Sequence, residues 1–178
     1  MNTKILGIAI ATLAIAMLIS PALAAPVEKI PFTAEITGYR PQPQQTDEYR
    51  KVITPNGDTV HIINQIGAGT IKIWIGTTSK TGTPTYQGIW TTTFKMNLNA
   101  KSSEGPVQYQ MIWTIPGYGT FEGNILGTIV APTPADNALT GLHGVMQGSD
   151  LFDGQRLMIE DGWRDTGKPT TYIGTFLK

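Results

Sequence analysis

Hydrophobic and polar residues alternate along most of the chain beyond residue 30, in short runs rich in Val, Ile, Thr, Tyr and Trp. A period of two is typical of a β-strand with one buried face and one solvated face. No window of about eleven residues beyond residue 25 sustains apolar residues at helical spacing. The pattern therefore predicts an all-β chain.

The alternating runs predict about ten strands separated by turn-forming residues. These strands are expected over residues 31–39, 49–54, 59–66, 70–76, 88–99, 107–116, 120–130, 139–148, 155–163 and 171–177. Asn56 and Gly57 lie between the second and third strands, and Asn-Gly is a strong hairpin signal because both residues tolerate positive φ. Residues 40–45 are expected to be an extended loop because of their prolines, and residues 131–138 a second loop.

So many consecutive antiparallel strands leave exposed edges unless the sheet closes or doubles over. We therefore expect a single antiparallel β-barrel, closed or nearly closed, of about eight to ten strands. A two-sheet sandwich is the alternative. The interior of a barrel of about eight strands is just filled by side chains or holds one small ligand, and the sequence leaves both outcomes open.

Aromatic side chains are the candidates for lining such an interior, because they fill small barrels as core and also form the walls of apolar pockets. Alternation places Trp90 and Phe94 on the apolar face of one strand, and Tyr109 and Trp113 on that of the next. Together with one further phenylalanine, the ligand-binding candidates are Trp90, Phe94, Tyr109, Trp113 and Phe121. Trp74 alternates with isoleucines and is expected on the outer face.

A short pattern, G-x-x-x-F-[DE]-G-[NQ], occurs at residues 117–124 and again at residues 148–155. Glycine permits a bulge or a positive φ where one strand turns into the next. The pattern therefore predicts stacked hairpins in which the phenylalanine plugs one end of the core. Coincidence in a chain with 20 glycines is the alternative.

Residues 142–160 are predicted to form a hairpin whose faces can be assigned before its register is known. A four-residue loop pairs Gln147 with Arg156 and His143 with Glu160, whereas a tighter turn pairs Gln147 with Glu160. Both registers place these four polar residues on one face, because shifts of two residues preserve the faces. The opposite, more apolar face is expected to point inward: Leu142, Gly144, Met146, Leu157 and Ile159.

The polar face of this hairpin has two interpretations. His143 beside Glu160 resembles a general base with an orienting carboxylate. An exterior wall or subunit-interface stripe is the preferred interpretation for all four residues, His143, Gln147, Arg156 and Glu160. No catalytic residue is assigned.

The first 24 residues are interpreted as a secretory signal peptide cleaved before Ala25. Lys4 is followed by an uncharged apolar run of about 15 residues, shorter than the ~20 needed to span a bilayer, so no membrane span is expected in the mature chain. Residues 25–47 are then an extended segment with the first strand, and residues 48–178 the rest of one barrel domain. The expected location is secreted or extracytoplasmic.

Composition excludes several other classes of function. Lys and Arg together number 13, as do Asp and Glu, so the chain lacks the basic character of a nucleic-acid-binding protein. Cysteine is absent, which leaves no disulfide, thiolate chemistry or Cys-ligated zinc. The two histidines, His61 and His143, are far apart in sequence, so no metal and no cofactor is expected.

The motif at residues 143–148, followed by Gly154, Gln155, Arg156 and Leu157, resembles the barrel of the allene oxide cyclase and dirigent superfamily, and within it the uncharacterised secreted microbial branch. The resemblance is clearest over residues 117–177. It implies an antiparallel, calycin-like eight-stranded barrel with a cavity for apolar substrates, often as a dimer or trimer. None of the family's catalytic residues can be placed in this sequence, so the resemblance implies a fold and a type of cavity but no activity.

Three functions follow as expectations. The first is a secreted barrel that binds a small apolar or amphipathic ligand in its lumen. The second is a cyclase- or isomerase-type enzyme that shapes a reactive apolar substrate. The third is an envelope or surface protein whose barrel wall forms a homo-oligomer interface.

Overall fold

The computed structural model of the protein describes residues 26–39, 50–133, 136–165 and 167–178. The predicted signal peptide, its cleavage point before Ala25 and the proline-rich loop of residues 40–45 lie outside the described residues. No helix in the described part of the chain is long and apolar enough to cross a membrane.

The described residues form one antiparallel sheet with a single short 3₁₀ turn, Asp150–Phe152. In chain order the strands are β1 (Lys29–Tyr39), β2 (Arg50–Ile53), β3 (Thr59–Ile75), β4 (Tyr86–Asn99), β5 (Gly105–Ile115), β6 (Gly119–Thr133), β7 (Asp136–Gly148), β8 (Arg156–Trp163) and β9 (Thr170–Leu177).

Strand β1 closes the sheet into a barrel, because it pairs with β9 along one edge and with β3 along the other. Eight strands, β1 and β3 to β9, form the closed wall, and each strand from β3 to β9 pairs with its neighbours in sequence. The additional strand β2 pairs with the beginning of β3. The predicted single antiparallel barrel is confirmed, and the sandwich alternative is wrong.

Strand β3 corrects the sequence prediction, which divided it into two strands at residues 59–66 and 70–76. The structure has one continuous strand of 17 residues. Asn64 adopts a φ of 57°, and the register with β4 shifts between Ile62 and Gln65. A bulge of this kind bends a strand without ending it, and asparagine tolerates the left-handed conformation well.

The predicted loop at residues 131–138 is also mostly strand. Strand β6 continues to Thr133 and β7 begins at Asp136, and these two residues pair with each other. Their pairing follows a register shift after Val130. The Ala, Pro and Thr composition of this segment therefore marked an irregularity in the hairpin, where the sequence analysis inferred a long connection.

Three glycines on β1 and β3 make room for the indole of Trp90. A Cβ atom added to Gly69 would lie 2.1 Å from the Thr37 carbonyl oxygen and 2.6 Å from Trp90 Nε1, closer than real contacts allow. Cβ atoms at Gly38 and Gly67 would lie 3.0 and 3.2 Å from the same ring. The indole thus reaches across β3, and Trp90 Nε1 donates a hydrogen bond to the Thr37 oxygen at 3.2 Å.

One end of the barrel is sealed by aromatic side chains. Phe152, from the 3₁₀ turn, stacks on Phe121 with ring centroids 4.5 Å apart and contacts Tyr86 edge-on at 5.3 Å. The Tyr118 ring stacks on the Phe152 ring, with the two centroids 6.0 Å apart. The two phenylalanines of the repeated pattern therefore plug the same end of the core, and they do so by packing on each other.

The β7–β8 hairpin follows the register with the four-residue loop, in which Gln147 pairs with Arg156. The face predicted to be inward is confirmed, since Leu142, Met146 and Leu157 are fully buried. Ladder pairing between β7 and β8 ends at Gly144 opposite Ile159, beyond which Gly141 adopts a positive φ and β8 shifts its register with β9.

Trp74 lies on the outer face, as predicted, but is buried rather than exposed. Residues 76–85 fold over it, and its Nε1 donates a hydrogen bond to the Gly82 carbonyl oxygen at 3.2 Å. Lys80 in this loop forms an ion pair with Glu35 at 2.7 Å. The loop therefore covers a small secondary cluster on the barrel wall.

The aromatic seal leads to a stability prediction with a neighbouring control. Phe152 is 2% exposed, and Phe152→Ala should lower the free energy of unfolding by about 3–5 kcal/mol because it leaves a cavity in the seal. Leu151 is 68% exposed, and Leu151→Ala should change it by no more than about 0.5 kcal/mol. Urea denaturation measures both. Equal effects would contradict the packing described for this end.

Candidate functional site

The barrel interior holds a cavity of about 140 Å³ towards the end opposite the aromatic seal. Its lining comes from the end of β1, the middle of β3 to β5, the far part of β6, the beginning of β7 and β9, and the β8–β9 connection. The lining residues are Ile36, Gly38, Gly67, Trp90, Thr92, Phe94, Met96, Tyr109, Met111, Ile129, Leu139, Arg164, Lys168, Thr170 and Tyr172.

Three of the five predicted ligand-binding residues line this cavity. Trp90 and Phe94 project from β4, and Tyr109 is the β5 partner of Phe94, with ring centroids 5.7 Å apart. Their common inward direction follows from the period of two on both strands.

The other two predicted ligand-binding residues lie in packed core and do not line the cavity. Trp113 is fully buried, 5.6 Å from the Tyr172 ring, and its Nε1 donates a hydrogen bond to Met111 Sδ at 2.8 Å. Phe121 belongs to the aromatic seal. Alternation placed both side chains inside correctly, but it does not distinguish a filled layer of a barrel from an open one.

Most of the cavity wall is apolar, and a buried threonine within it has its polar atom bonded to the backbone. The Thr92 hydroxyl donates a hydrogen bond to the Gln110 carbonyl oxygen at 2.8 Å. Its methyl group lies against Gly67, where an added Cβ would approach it to 3.2 Å. Thr92 therefore contributes apolar surface at this point, next to Trp90.

Polar groups are concentrated on one stretch of chain, the β8–β9 connection and the beginning of β9. Arg164, Lys168, Thr170 and Tyr172 all line the cavity from this stretch. A more open recess of about 270 Å³ adjoins the cavity and shares Gly38, Arg164 and Lys168 with it, and these residues mark the mouth of the cavity. No Asp or Glu among the described residues lines the cavity or this recess.

Tyr172 is the deepest polar group of the site. The residue is 1% exposed, and no hydrogen bond among the described residues involves its hydroxyl. Every fully enclosed polar side-chain atom in the described part of the chain has a partner, so the Tyr172 oxygen borders the cavity space. Burial raises the pKa of the phenol well above its usual value, Tyr109 acts in the same direction, and Arg164 opposes them. The hydroxyl therefore keeps its proton and can donate it in a hydrogen bond.

The predicted polar stripe lies on the outer wall, away from the cavity. Arg156 Nε donates a hydrogen bond to Gln147 Oε1 at 2.9 Å, and the Thr175 hydroxyl donates to Glu160 Oε1 at 2.7 Å. His143 Nδ1 contacts the Gly141 carbonyl oxygen at 2.8 Å. The structure brings Gln147 and Arg156 together, but His143 and Glu160 have separate partners and do not form the acid–base pair considered from the sequence.

The described residues contain no group of three or more His, Asp or Glu side chains positioned to hold a metal ion. His61 lies on β3, with its Nδ1 2.6 Å from Asn97 Oδ1 on β4. The chemistry that the cavity can offer is therefore hydrogen bonding, positive charge at the mouth and apolar contact.

The five predicted ligand-binding residues did not include Tyr172, Arg164 or Lys168, which also line the cavity. A signal existed for the first, because alternation along β9 places Tyr172 on the same face as the buried Phe176. The two cations lie in or next to an irregular connection, where no period predicts the direction of a side chain.

Known proteins give no independent indication of what the site binds. No protein-family model, curated protein or solved structure matched the chain. The geometry and chemistry of the cavity are therefore the basis for proposing a function.

Removing the Tyr172 hydroxyl should reduce the loss of stability at alkaline pH. Tyrosine in the unfolded chain has a pKa of about 10, and the folded pKa lies well above it. The protonated phenol therefore stabilises the fold fully below about pH 10, and this contribution is lost as the pH rises towards the folded pKa. Urea denaturation at neutral and alkaline pH should show a smaller decline for Tyr172→Phe than for the unmodified protein.

The matched control is Tyr118→Phe, since Tyr118 is 47% exposed. This variant should retain the alkaline decline of the unmodified protein. Identical pH dependence in all three proteins would show that the Tyr172 phenol is not held protonated by burial.

Proposed function

We propose that the protein binds a small apolar or amphipathic molecule in the barrel lumen. The observation that supports this proposal is the contrast between the two ends of the interior. One end is filled by stacked rings of Phe121 and Phe152, while the other leaves about 140 Å³ unfilled. Protein interiors are otherwise close-packed, so an unfilled volume of this size loses contacts that a ligand would restore.

The size of the cavity limits the ligand. An apolar cavity of roughly 150 Å³ accommodates one benzene molecule. The space between Trp90, Phe94 and Met111 is of this order, so it accepts one ring or a short branched chain. A larger ligand has to extend through the mouth past Arg164 and Lys168.

The composition of the wall is that of a binding site for such a molecule. Ligand pockets are mostly apolar and aromatic, with a few polar groups that fix orientation. Here the aromatic wall is formed by Trp90, Phe94 and Tyr109, and the orienting groups come from the β8–β9 side. The predicted signal peptide supports a location outside the cytoplasm, so the proposed role is that of a secreted or extracytoplasmic binding protein.

An oligomer is a second candidate, and it is supported by the outer wall. Val145 and Met158 are partners on β7 and β8 and are 50% and 39% exposed. Leu126, 45% exposed, is the β6 partner of His143, two residues from Val145. Apolar side chains in register on an exposed wall are typical of a subunit contact.

Concentration-dependent light scattering tests whether the protein forms this oligomer. A monomer at all concentrations would contradict the oligomer proposal.

The enzyme alternative rests on the resemblance to the allene oxide cyclase and dirigent superfamily. Such a reaction would use the cavity to fold a reactive substrate, with Tyr172 as the nearest proton donor. The cavity lining carries no carboxylate or histidine among its described residues. The residues described thus support binding more directly than acid–base catalysis.

Filling the cavity should abolish binding of a ring-sized probe. Toluene should bind the unmodified protein with a Kd on the order of 0.1 to 1 mM, which corresponds to about 4 to 5.5 kcal/mol. Leu139 lines the cavity, and Leu139→Trp should weaken binding at least tenfold, because the larger ring occupies the ligand volume. Isothermal titration calorimetry measures the affinity.

The matched control is Leu151→Trp, the same substitution at an exposed residue on the sealed end, which should bind toluene unchanged. Ile129→Phe provides a second way to fill the cavity if Leu139→Trp unfolds. Toluene affinity that is the same in folded Leu139→Trp, folded Ile129→Phe and the unmodified protein would exclude the lumen as the binding site.

A further inference from the structure

Polar and apolar side chains are unevenly distributed around the lumen, and this distribution restricts the chemical class of ligand that the lumen can bind. The inference rests on the proposed binding function. Four polar lining residues, Arg164, Lys168, Thr170 and Tyr172, come from one continuous stretch of nine residues. The apolar wall comes from other strands, chiefly β4 and β5. A molecule in the lumen therefore meets mainly apolar surface on the β4 and β5 side, where the Tyr109 phenol is also present, and most of the polar lining residues on the β8–β9 side.

The most deeply buried hydrogen-bond donor on this side of the cavity is the Tyr172 hydroxyl. A buried tyrosine normally satisfies its hydroxyl with a hydrogen bond, because an unpaired polar group costs free energy. None of the described residues accepts a hydrogen bond from this hydroxyl, and the oxygen borders the cavity. A ligand that places an acceptor oxygen at this point would supply the missing partner.

The charged side chains that line the mouth, among the described residues, are those of Lys168 and Arg164, and both are cations. Lys168 lines both the cavity and the recess, and its ammonium group has no ion pair or hydrogen bond with the described residues. Arg164 lines both as well, and its charge acts on the Tyr172 phenol. Lys168, a cation with no carboxylate among the described lining residues, favours an anionic group on the ligand.

The closed end limits the length of the ligand. Beyond Met111 the interior is filled by Trp113, whose indole donates a hydrogen bond to the Met111 sulfur. Phe121 and Phe152 fill the next layer. A long acyl chain that enters from the mouth meets this packed layer, and the cavity in front of it has a volume of only about 140 Å³.

We propose that the lumen ligand is a compact monocarboxylic acid, bound as its carboxylate with a ring-sized apolar body. The body lies against Trp90 and Phe94, one carboxylate oxygen accepts a hydrogen bond from the Tyr172 hydroxyl, and Lys168 compensates the charge. The apolar contact determines the size of the acid, and the β8–β9 stretch determines its orientation.

Three ring-sized probes separate these contributions: benzoate, benzamide and toluene. Benzoate carries both an acceptor and a charge, benzamide an acceptor without a charge, and toluene neither. Calorimetric titration of the full-length mature protein at neutral pH should give affinities that decrease in that order, with benzoate at least tenfold tighter than toluene.

Two variants assign the contributions to residues. Tyr172→Phe should weaken benzoate and benzamide about tenfold and leave toluene unchanged, as expected for loss of one hydrogen bond to an acceptor. Lys168→Met should weaken benzoate about threefold or more and leave both neutral probes unchanged. Lys101→Met is the matched control, since Lys101 lies in the β4–β5 connection at the same end of the barrel and does not line the cavity.

The possible outcomes test the carboxylate proposal separately from the proposal that the lumen binds a ligand. If toluene binds and benzoate binds no more tightly, the carboxylate proposal is overturned while lumen binding stands. If none of the three probes binds, both are overturned. If dodecanoate binds more tightly than benzoate and Leu139→Trp abolishes that binding, the length limit is overturned.

Discussion

Pairing of β1 with both β9 and β3 is the constraint on which the rest of the structure depends. Without this strand the sheet from β3 to β9 has two open edges, and the interior has no continuous wall. At Gly69 this closure leaves no room for a Cβ atom, which would clash with the Thr37 carbonyl oxygen and the Trp90 indole. Its hydrogen bond to the Thr37 oxygen ties β4 to β1 across β3. The same indole then forms part of the cavity wall.

Closure alone does not create a site, because a barrel of eight strands can be filled completely by its own side chains. The site arises from unequal filling. At one end Phe152 enters from a 3₁₀ turn and packs on Phe121, so the interior there is solid. At the other end the β8–β9 connection contributes Arg164 and Lys168 at the rim, where the inward layer is incomplete. The lumen is therefore closed by aromatic side chains at one end and bordered by cationic side chains at the other.

The strands and their faces were largely predictable, because a period of two is a local property that burial imposes on each strand. Alternation therefore placed Trp90, Phe94 and Tyr109 correctly. It divided β3 because the Asn64 bulge breaks the period, and bulges depend on pairing with a neighbouring strand. It also grouped Trp113 with the cavity, since how completely a layer is filled depends on all eight strands together. Arg164 and Lys168 were missed because no period governs the connection that presents them.

The closed barrel is hollow at one end and solid at the other. Crystallographic diffraction from the protein under xenon pressure tests this difference most directly, because xenon enters apolar cavities of this size. We expect one xenon site bounded by Trp90, Phe94 and Met111, and none between Phe121 and Phe152. Xenon density absent from the lumen, with these side chains packed in contact across it, would contradict the account.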